Sequence, residues 1–263
     1  MIHHRTIAFL DILGFKEMIM KQPLDELAHK YESLIKLTKS LNKPLNIVDN
    51  EPRLFQEHDK DVNWCISNVF SDSIILISHN DSAESSLKLL VYTWRLSQIM
   101  MAYGMPVRGG IAYGDFYINQ EHNIFLGKAL TDAYELETRQ KWIGVSIHNS
   151  LINAFPELNN KSNEINIINV LYPWYDVPLK DGTKENLRAL NWRYSLIVQN
   201  GTRSLFKSNN TQEVEEKINN TLTFAQFIKD SGKLYTSNED CPLELRPLWI
   251  GDSVPPFPHG DNL

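Results

Sequence analysis

FLDILGF, Phe9 to Phe15, closes an apolar run that starts at Thr6 and stops on a charged residue, Asp11, with Gly14 three positions further on. Thr6 to Asp11 is apolar on both alternating faces, the pattern of a strand buried on both sides. Gly14 then lets the backbone turn sharply. From Phe15 to Ser40 the residues Met18, Leu24, Leu27, Tyr31, Leu34, Ile35 and Leu37 recur at helical spacing, with a break expected at Pro23. Asn42 to Lys60 is polar, holds Pro44 and Pro52, and reads as a loop.

A second stretch, NVFSDSIILIS from Asn68 to Ser78, completes the pattern. Trp64 to Phe70 and Ile74 to Ser78 are strand-like runs separated by Ser71, Asp72 and Ser73, so an antiparallel hairpin is expected with Asp72 at its tip. Ser82 to Met101 carries a broad apolar stripe (Leu87, Leu90, Val91, Trp94, Leu96, Ile99, Met100) and ends at Gly104 and Pro106, which predicts a long helix. VRGGIAYGDFYI, Val107 to Ile118, is a glycine-interrupted strand where another backbone comes close. Gly127 to Lys141 makes a further helix. The order strand, helix, hairpin, helix, strand predicts an α/β (α+β) fold with a ferredoxin-like βαββαβ core, its helices packed on one face of an antiparallel sheet. Further strands are expected around VSI, WYDVPLKDG and WRYSLIV. Residues 1–200 read as the main domain. Residues 201–263 read as an extension packed on it, made of one amphipathic helix from Glu213 to Lys229 and a tail with Pro242, Pro247, Pro255, Pro256 and Pro258.

The composition bounds what such a domain can do. A chain of 263 residues, 42% hydrophobic, can bury a substantial core. Its formal charge of −6 leaves no broad basic surface for a nucleic-acid backbone, so DNA is not expected as a partner and phosphate binding should come from a local pocket. Cys65 and Cys241 suggest neither a disulfide framework nor a cysteine metal site. No signal peptide or membrane-length apolar run is seen, so the cytoplasm is the expected compartment and no membrane partner is expected.

An Asp at a strand end is more often a turn or helix cap than a ligand. Two of them, each at the end of a buried strand, can hold a divalent metal over a phosphate, and Asp11 also precedes a glycine turn into a helix N-terminus where backbone N–H groups can receive a triphosphate. Other constellations are weaker. His3 and His4 point in different directions along a strand and read as a solvated N-terminus. Gly109-Gly110 with Asp115 does not make the GGDEF arrangement, no P-loop or Rossmann fingerprint is present, and Ser146 and His148 lack an acidic third member.

The pattern F-x-D-I-x-G-F (Phe9, Asp11, Ile12, Gly14, Phe15), the Ser71-Asp72 hairpin and R-G-G-I-A-Y-G from Arg108 to Gly114 resemble the class III nucleotide cyclases over roughly Thr6 to Leu151. Val177 to Lys180 and Asn191-Trp192 resemble more closely the pyrimidine nucleotide cyclases of bacterial antiphage (Pycsar) signalling. The resemblance implies two divalent metal ions, Mg or Mn, held by Asp11, Asp72 and the Ile12 carbonyl. It also implies a homodimer with composite sites.

Two departures shape the expected chemistry. Motif alignment puts Asn68 and Ile124 where purine cyclases read their base with a Lys and an Asp, which points to a pocket remade for a pyrimidine. It puts Thr131 and Glu135 where the family carries a transition-state Asn and Arg, and a glutamate cannot do the work of an arginine beside a developing phosphate charge. Arg108, Lys128 and Arg139 are the candidate replacement cations. Against this, Arg108 reads equally as a structural ion pair, and Arg139 as an ordinary i,i+4 partner of Glu135. The expected activity is conversion of UTP or CTP to the 3′,5′-cyclic monophosphate and pyrophosphate, as a second messenger in antiviral defence sensed by a separate effector protein. Asp11, Asp72 and Arg108 are the expected catalytic residues; Gly14, Phe15, Asn68, Lys128 and Thr131 are expected to bind substrate. A catalytically silent nucleotide-binding domain and a purine cyclase are the alternatives.

Overall fold

The computed structural model describes residues 2–40, 64–102, 104–159, 169, 171–191 and 211–231. The expected loop at Asn42 to Lys60, the expected strand WRYSLIV and the proline-rich tail lie outside them. In chain order the elements are β1 (Ile2–Ile12), α1 (Phe15–Lys21), α2 (Leu24–Ser40), β2 (Ile66–Phe70), β3 (Ser73–Ile77), α3 (Ala83–Ala102), β4 (Val107–Asn119), β5 (Ile124–Leu126), α4 (Lys128–Arg139), β6 (Val145–Ile147), α5 (Asn149–Ala154), β7 (Trp174–Pro178), β8 (Lys184–Ala189) and α6 (Gln212–Asp230). The break between α1 and α2 falls at Pro23, as its missing N–H and fixed φ require.

One eight-stranded sheet has the order β2-β3-β1-β4-β6-β8-β7, with β5 paired to β4. Its first four strands are antiparallel neighbours in the ferredoxin-like order, with β1 between β3 and β4. The sheet then runs on past that core: β6 joins β4 in parallel, and the β7–β8 hairpin closes the far edge.

Alternation along β1 sorts the two faces. Ala8, Leu10 and Ile12 point into the main core with α2 and α3, where Leu27, Leu34, Leu90 and Trp94 are buried. Ile7 and Phe9 point the other way, where Ile7 joins Ile77, Phe116 and Ala129 in a second cluster under α4 and the Phe9 ring meets Tyr134 edge-on at 5.4 Å. Gly110 makes this approach possible, because a Cβ there would stand 2.2 Å from the Ala133 carbonyl oxygen. The expectation that helices cover one face holds for α2 and α3, but α4 covers the second face over β1 and β4. Beside it α6 packs Phe224 against Trp142 and Tyr175, each at 4.8 Å.

His3 and His4 are solvent-accessible at the N-terminus, His4 with its side chain 58% exposed, while their backbone is part of the sheet. β1 begins at Ile2, His3 and His4 pair with Phe116 and Asp115 of β4, and the His4 Nε2 lies 3.0 Å from the Asp115 carboxylate. The long partner strand β4 supplies the hydrogen bonds that extend β1 beyond its apolar segment.

Candidate functional site

Asp11 is the next-to-last residue of β1, opposite Ser73 of β3 and Arg108 of β4. Residues directly opposite in an antiparallel pair project from the same face, so Asp11 and Arg108 both face the α4 layer. Asp72 sits in the two-residue turn of the β2–β3 hairpin, after Ser71 at φ 55°. Its carbonyl accepts a hydrogen bond from the Ile12 N–H at 2.9 Å, which ties the hairpin tip to the end of β1 and sets the two aspartates side by side.

Burial and neighbouring charges both act on Asp11. Its carboxyl is pushed up to about 6, first by burial and then by the negative charges of Glu137 and Asp72, with Arg108 and Lys180 acting in the opposite sense. Tyr31 of α2 is held well above its usual range by burial and by Asp72, and its buried hydroxyl has no hydrogen-bond partner among the described residues. Neighbouring carboxylates of which one is half-buried fit a cation, and oxygen donors alone suit Mg or Mn better than softer metals. The protein set is small: among the described residues no group of three or more His, Cys, Asp or Glu side chains is arranged to hold a metal. Asp11, Asp72 and a main-chain carbonyl would leave the remaining positions to water and phosphate oxygens, as Mg commonly does.

Arg108 is not free. Its Nε donates to Glu137 Oε1 at 2.6 Å, its Nη2 meets the same oxygen, and both side chains are buried. Lys128 is exposed and bonds both oxygens of Asp132 at 2.7 Å. Arg139 pairs with Glu185 of β8 at 2.7 Å rather than with Glu135. The reason is tertiary: the β7–β8 turn docks on the end of α4, through Lys141 N–H to Pro178 O at 2.9 Å and Lys180 N–H to Arg139 O at 2.8 Å.

That docking brings in a cation the sequence did not single out. Lys180 leads the β7–β8 turn, is exposed, and lies close enough to Arg108 and Glu137 to feel both charges. Its ammonium is lowered from the usual lysine value, first by burial and then by Arg108. Glu137 was missed as well. Both reach Asp11 only through packing of α4 and the β7–β8 turn, and the sole sequence signal was the Val177 to Lys180 similarity.

The remaining site residues divide into two groups. Asn68 is opposite Ile75, one row from Asp11 on the same face, over the part of the sheet formed by β2 and β3. Gly14 caps α1 with φ 76°, and a Cβ there would meet nothing within 4 Å, so the turn after Asp11 opens onto unfilled space. Phe15 instead turns inward, its ring 6.2 Å from that of Tyr31. Lys128 and Thr131 stand toward the other end of α4, Lys128 about 14 Å along the helix from Glu137 at 1.5 Å per residue. Ile124 is further away, paired with Asn119 at the opposite end of β4. Within one chain these three do not meet Asp11. Ser146 and His148 serve structure: the Ser146 hydroxyl donates to Gln140, and His148 Nδ1 accepts from the Ser150 N–H to cap α5.

No helix among the described residues is long and apolar enough to cross a membrane. No family model matches the chain, and no curated protein does. Solved structures do match. The guanylate cyclase domain of RhGC from Catenaria anguillulae in complex with GTP is 10% identical, with a TM-score of 0.47 over 72% of this chain and 96% of that one. The adenylyl cyclase CyaB from P. aeruginosa is 12% identical, with a TM-score of 0.43 over 72% and 93%. An adenylate/guanylate cyclase/hydrolase from Silicibacter pomeroyi is 13% identical, with a TM-score of 0.43 over 72% and 95%. The structural neighbours of this α+β chain are thus adenylyl and guanylyl cyclase domains.

Proposed function

We propose that this chain is a nucleotide cyclase acting on a pyrimidine ribonucleoside triphosphate, UTP or CTP, to give the 3′,5′-cyclic monophosphate and pyrophosphate. The carrying observation is the pair Asp11 and Asp72, brought together at one end of the sheet by the Ile12 N–H to Asp72 carbonyl hydrogen bond. Asp11, Asp72 and the Ile12 carbonyl would hold two divalent ions, whose charge would acidify the 3′-hydroxyl and neutralise the leaving pyrophosphate. The turn at Gly14 receives the triphosphate. Lys180 supplies the cation that Glu135 cannot, since Arg108, Lys128 and Arg139 each already have a carboxylate partner. Asn68 contributes to base choice, its amide offering both a donor and an acceptor. Lys128, Thr131 and Ile124, distant from Asp11 of their own chain, serve the site of a second copy, so the active form is a homodimer. The cyclic product acts as a second messenger in antiphage defence through a separate effector.

Incubation with manganese and equal UTP, CTP, ATP and GTP, scored by cyclic product, tests this reading. A buried polar group left unpaired by the wrong base costs about 1–3 kcal/mol, so pyrimidine products are expected to dominate by roughly tenfold to a hundredfold per mispaired group. Dominant cyclic AMP or cyclic GMP refutes the base assignment; triphosphate binding with no cyclic product refutes the enzyme. In the same assay Lys180→Ala is expected to lose at least about tenfold in turnover, the scale of one lost charged contact. Wild-type turnover would remove Lys180 from the site.

A further inference from the structure

We propose that Glu137 is a positioning residue that holds the Arg108 guanidinium on α4 and so keeps it off Asp11, leaving that carboxylate available to a divalent cation. The proposal rests on the reading of Asp11 as a metal ligand. Arg108 and Asp11 are direct register partners on β4 and β1 and project from the same face. An arginine so placed would ordinarily pair with the facing carboxylate, and a bidentate pair would close the site. Instead both its Nε and its Nη2 go to one oxygen of Glu137, and Asp11 makes no ion pair with a described residue.

Glu137 can compete because its position is fixed from two sides. It faces inward from α4, only 2% exposed, one turn beyond the close contact of Ala133 with Gly110. The residue that ends the helix, Gln140, is stapled to the strand beside Arg108. Its amide donates to Gly109 O at 2.8 Å and to Leu136 O at 3.0 Å, while its oxygen accepts from Trp142 Nε1 at 2.7 Å and Ser146 Oγ at 2.8 Å. The carboxylate that claims Arg108 is therefore part of the frame joining α4 to β4, whereas Asp11 sits at the open end of β1.

Mn2+ binding measured by calorimetry, without nucleotide, tests the inference, with melting curves to verify folding. Glu137→Gln is expected to weaken Mn2+ binding at least tenfold, because the released guanidinium turns to Asp11. Adding Arg108→Gln in that background is expected to restore affinity to within about threefold of wild type, the signature of coupled residues. Arg108→Gln alone, which keeps the inference testable if Glu137→Gln does not fold, is expected to bind Mn2+ as tightly as wild type or more tightly. The inference is overturned by wild-type affinity in Glu137→Gln, by a double variant as weak as the single, or by weakened binding in Arg108→Gln. A wild-type protein that binds no Mn2+, or binds it equally with Asp11→Asn, overturns the metal reading and this inference together. Binding that Asp11→Asn abolishes and Glu137→Gln leaves intact overturns this inference alone.

Discussion

Asp11→Asn and Asp72→Asn are each expected to lower cyclic-product formation by about three orders of magnitude, the effect of withdrawing about 4 kcal/mol of transition-state stabilisation. Each change conserves volume and removes a charge that a hard cation needs. Loss of fold is not the expected route. The Asp11 carboxyl is pushed up to about 6 from an ordinary value of 3.8, chiefly by burial. The unfolded chain therefore gives up this proton at lower pH than the folded protein, so stability falls as pH rises between those values and stays at the lower level above about pH 6. Asparagine has no such proton to lose. Above about pH 6 and without metal, Asp11→Asn is expected to melt at or above the wild-type temperature. Near-wild-type turnover at saturating manganese in either variant would refute the two-metal assignment.

Phe224→Ala is expected to have the largest effect on stability, about 3–5 kcal/mol in a chemical denaturation measurement, a large share of the ~5–15 kcal/mol that holds a domain together. Phe224 is fully buried between Trp142 and Tyr175, and Ile228 one turn on is buried too. The same helix, α6, satisfies main-chain groups just before β6: Thr221 Oγ1 accepts from the Ile143 N–H at 2.9 Å and Asn220 donates to the Lys141 carbonyl at 2.7 Å. The Lys141 ammonium also meets Glu216. Helix α6 thus packs as part of the same core as the sheet, and its loss should loosen the segment from which the Lys180 turn hangs. A variant that melts like wild type would make it a dispensable appendage.

The β-α-β-β-α-β order was legible because each element carried its own local pattern: the buried run at β1, the tight hairpin around Asp72, the stripe of α3. Strand β8, KENLRA, carried none. Its first half is Lys184, Glu185 and Asn186, with no apolar alternation, and it becomes a strand by pairing between β7 and β6. The aspartates were legible for a similar reason, as charges at the ends of apolar runs. Glu137 and Lys180 were not, since nothing local in LTDAYELETR or VPLKDG says which residue will face β1. Arg139 shows the limit from the other side: a helical spacing rule offered Glu135, and tertiary packing supplied Glu185.

The central place of β1 bears on how the chain comes together in time. Its two neighbours are β3 and β4, so Ile7 must find Ile77 and Ala112, the latter roughly a hundred residues downstream, across the three intervening helices α1, α2 and α3. Pairings of such long sequence separation are slow to close, and Asp11 meets Asp72 and Arg108 only when they have closed. A divalent cation therefore has no assembled site on the partly folded chain. On the proposed metal reading it would act as a lock on the finished sheet and not as a nucleus for it, so added manganese should slow unfolding while leaving the refolding rate unchanged.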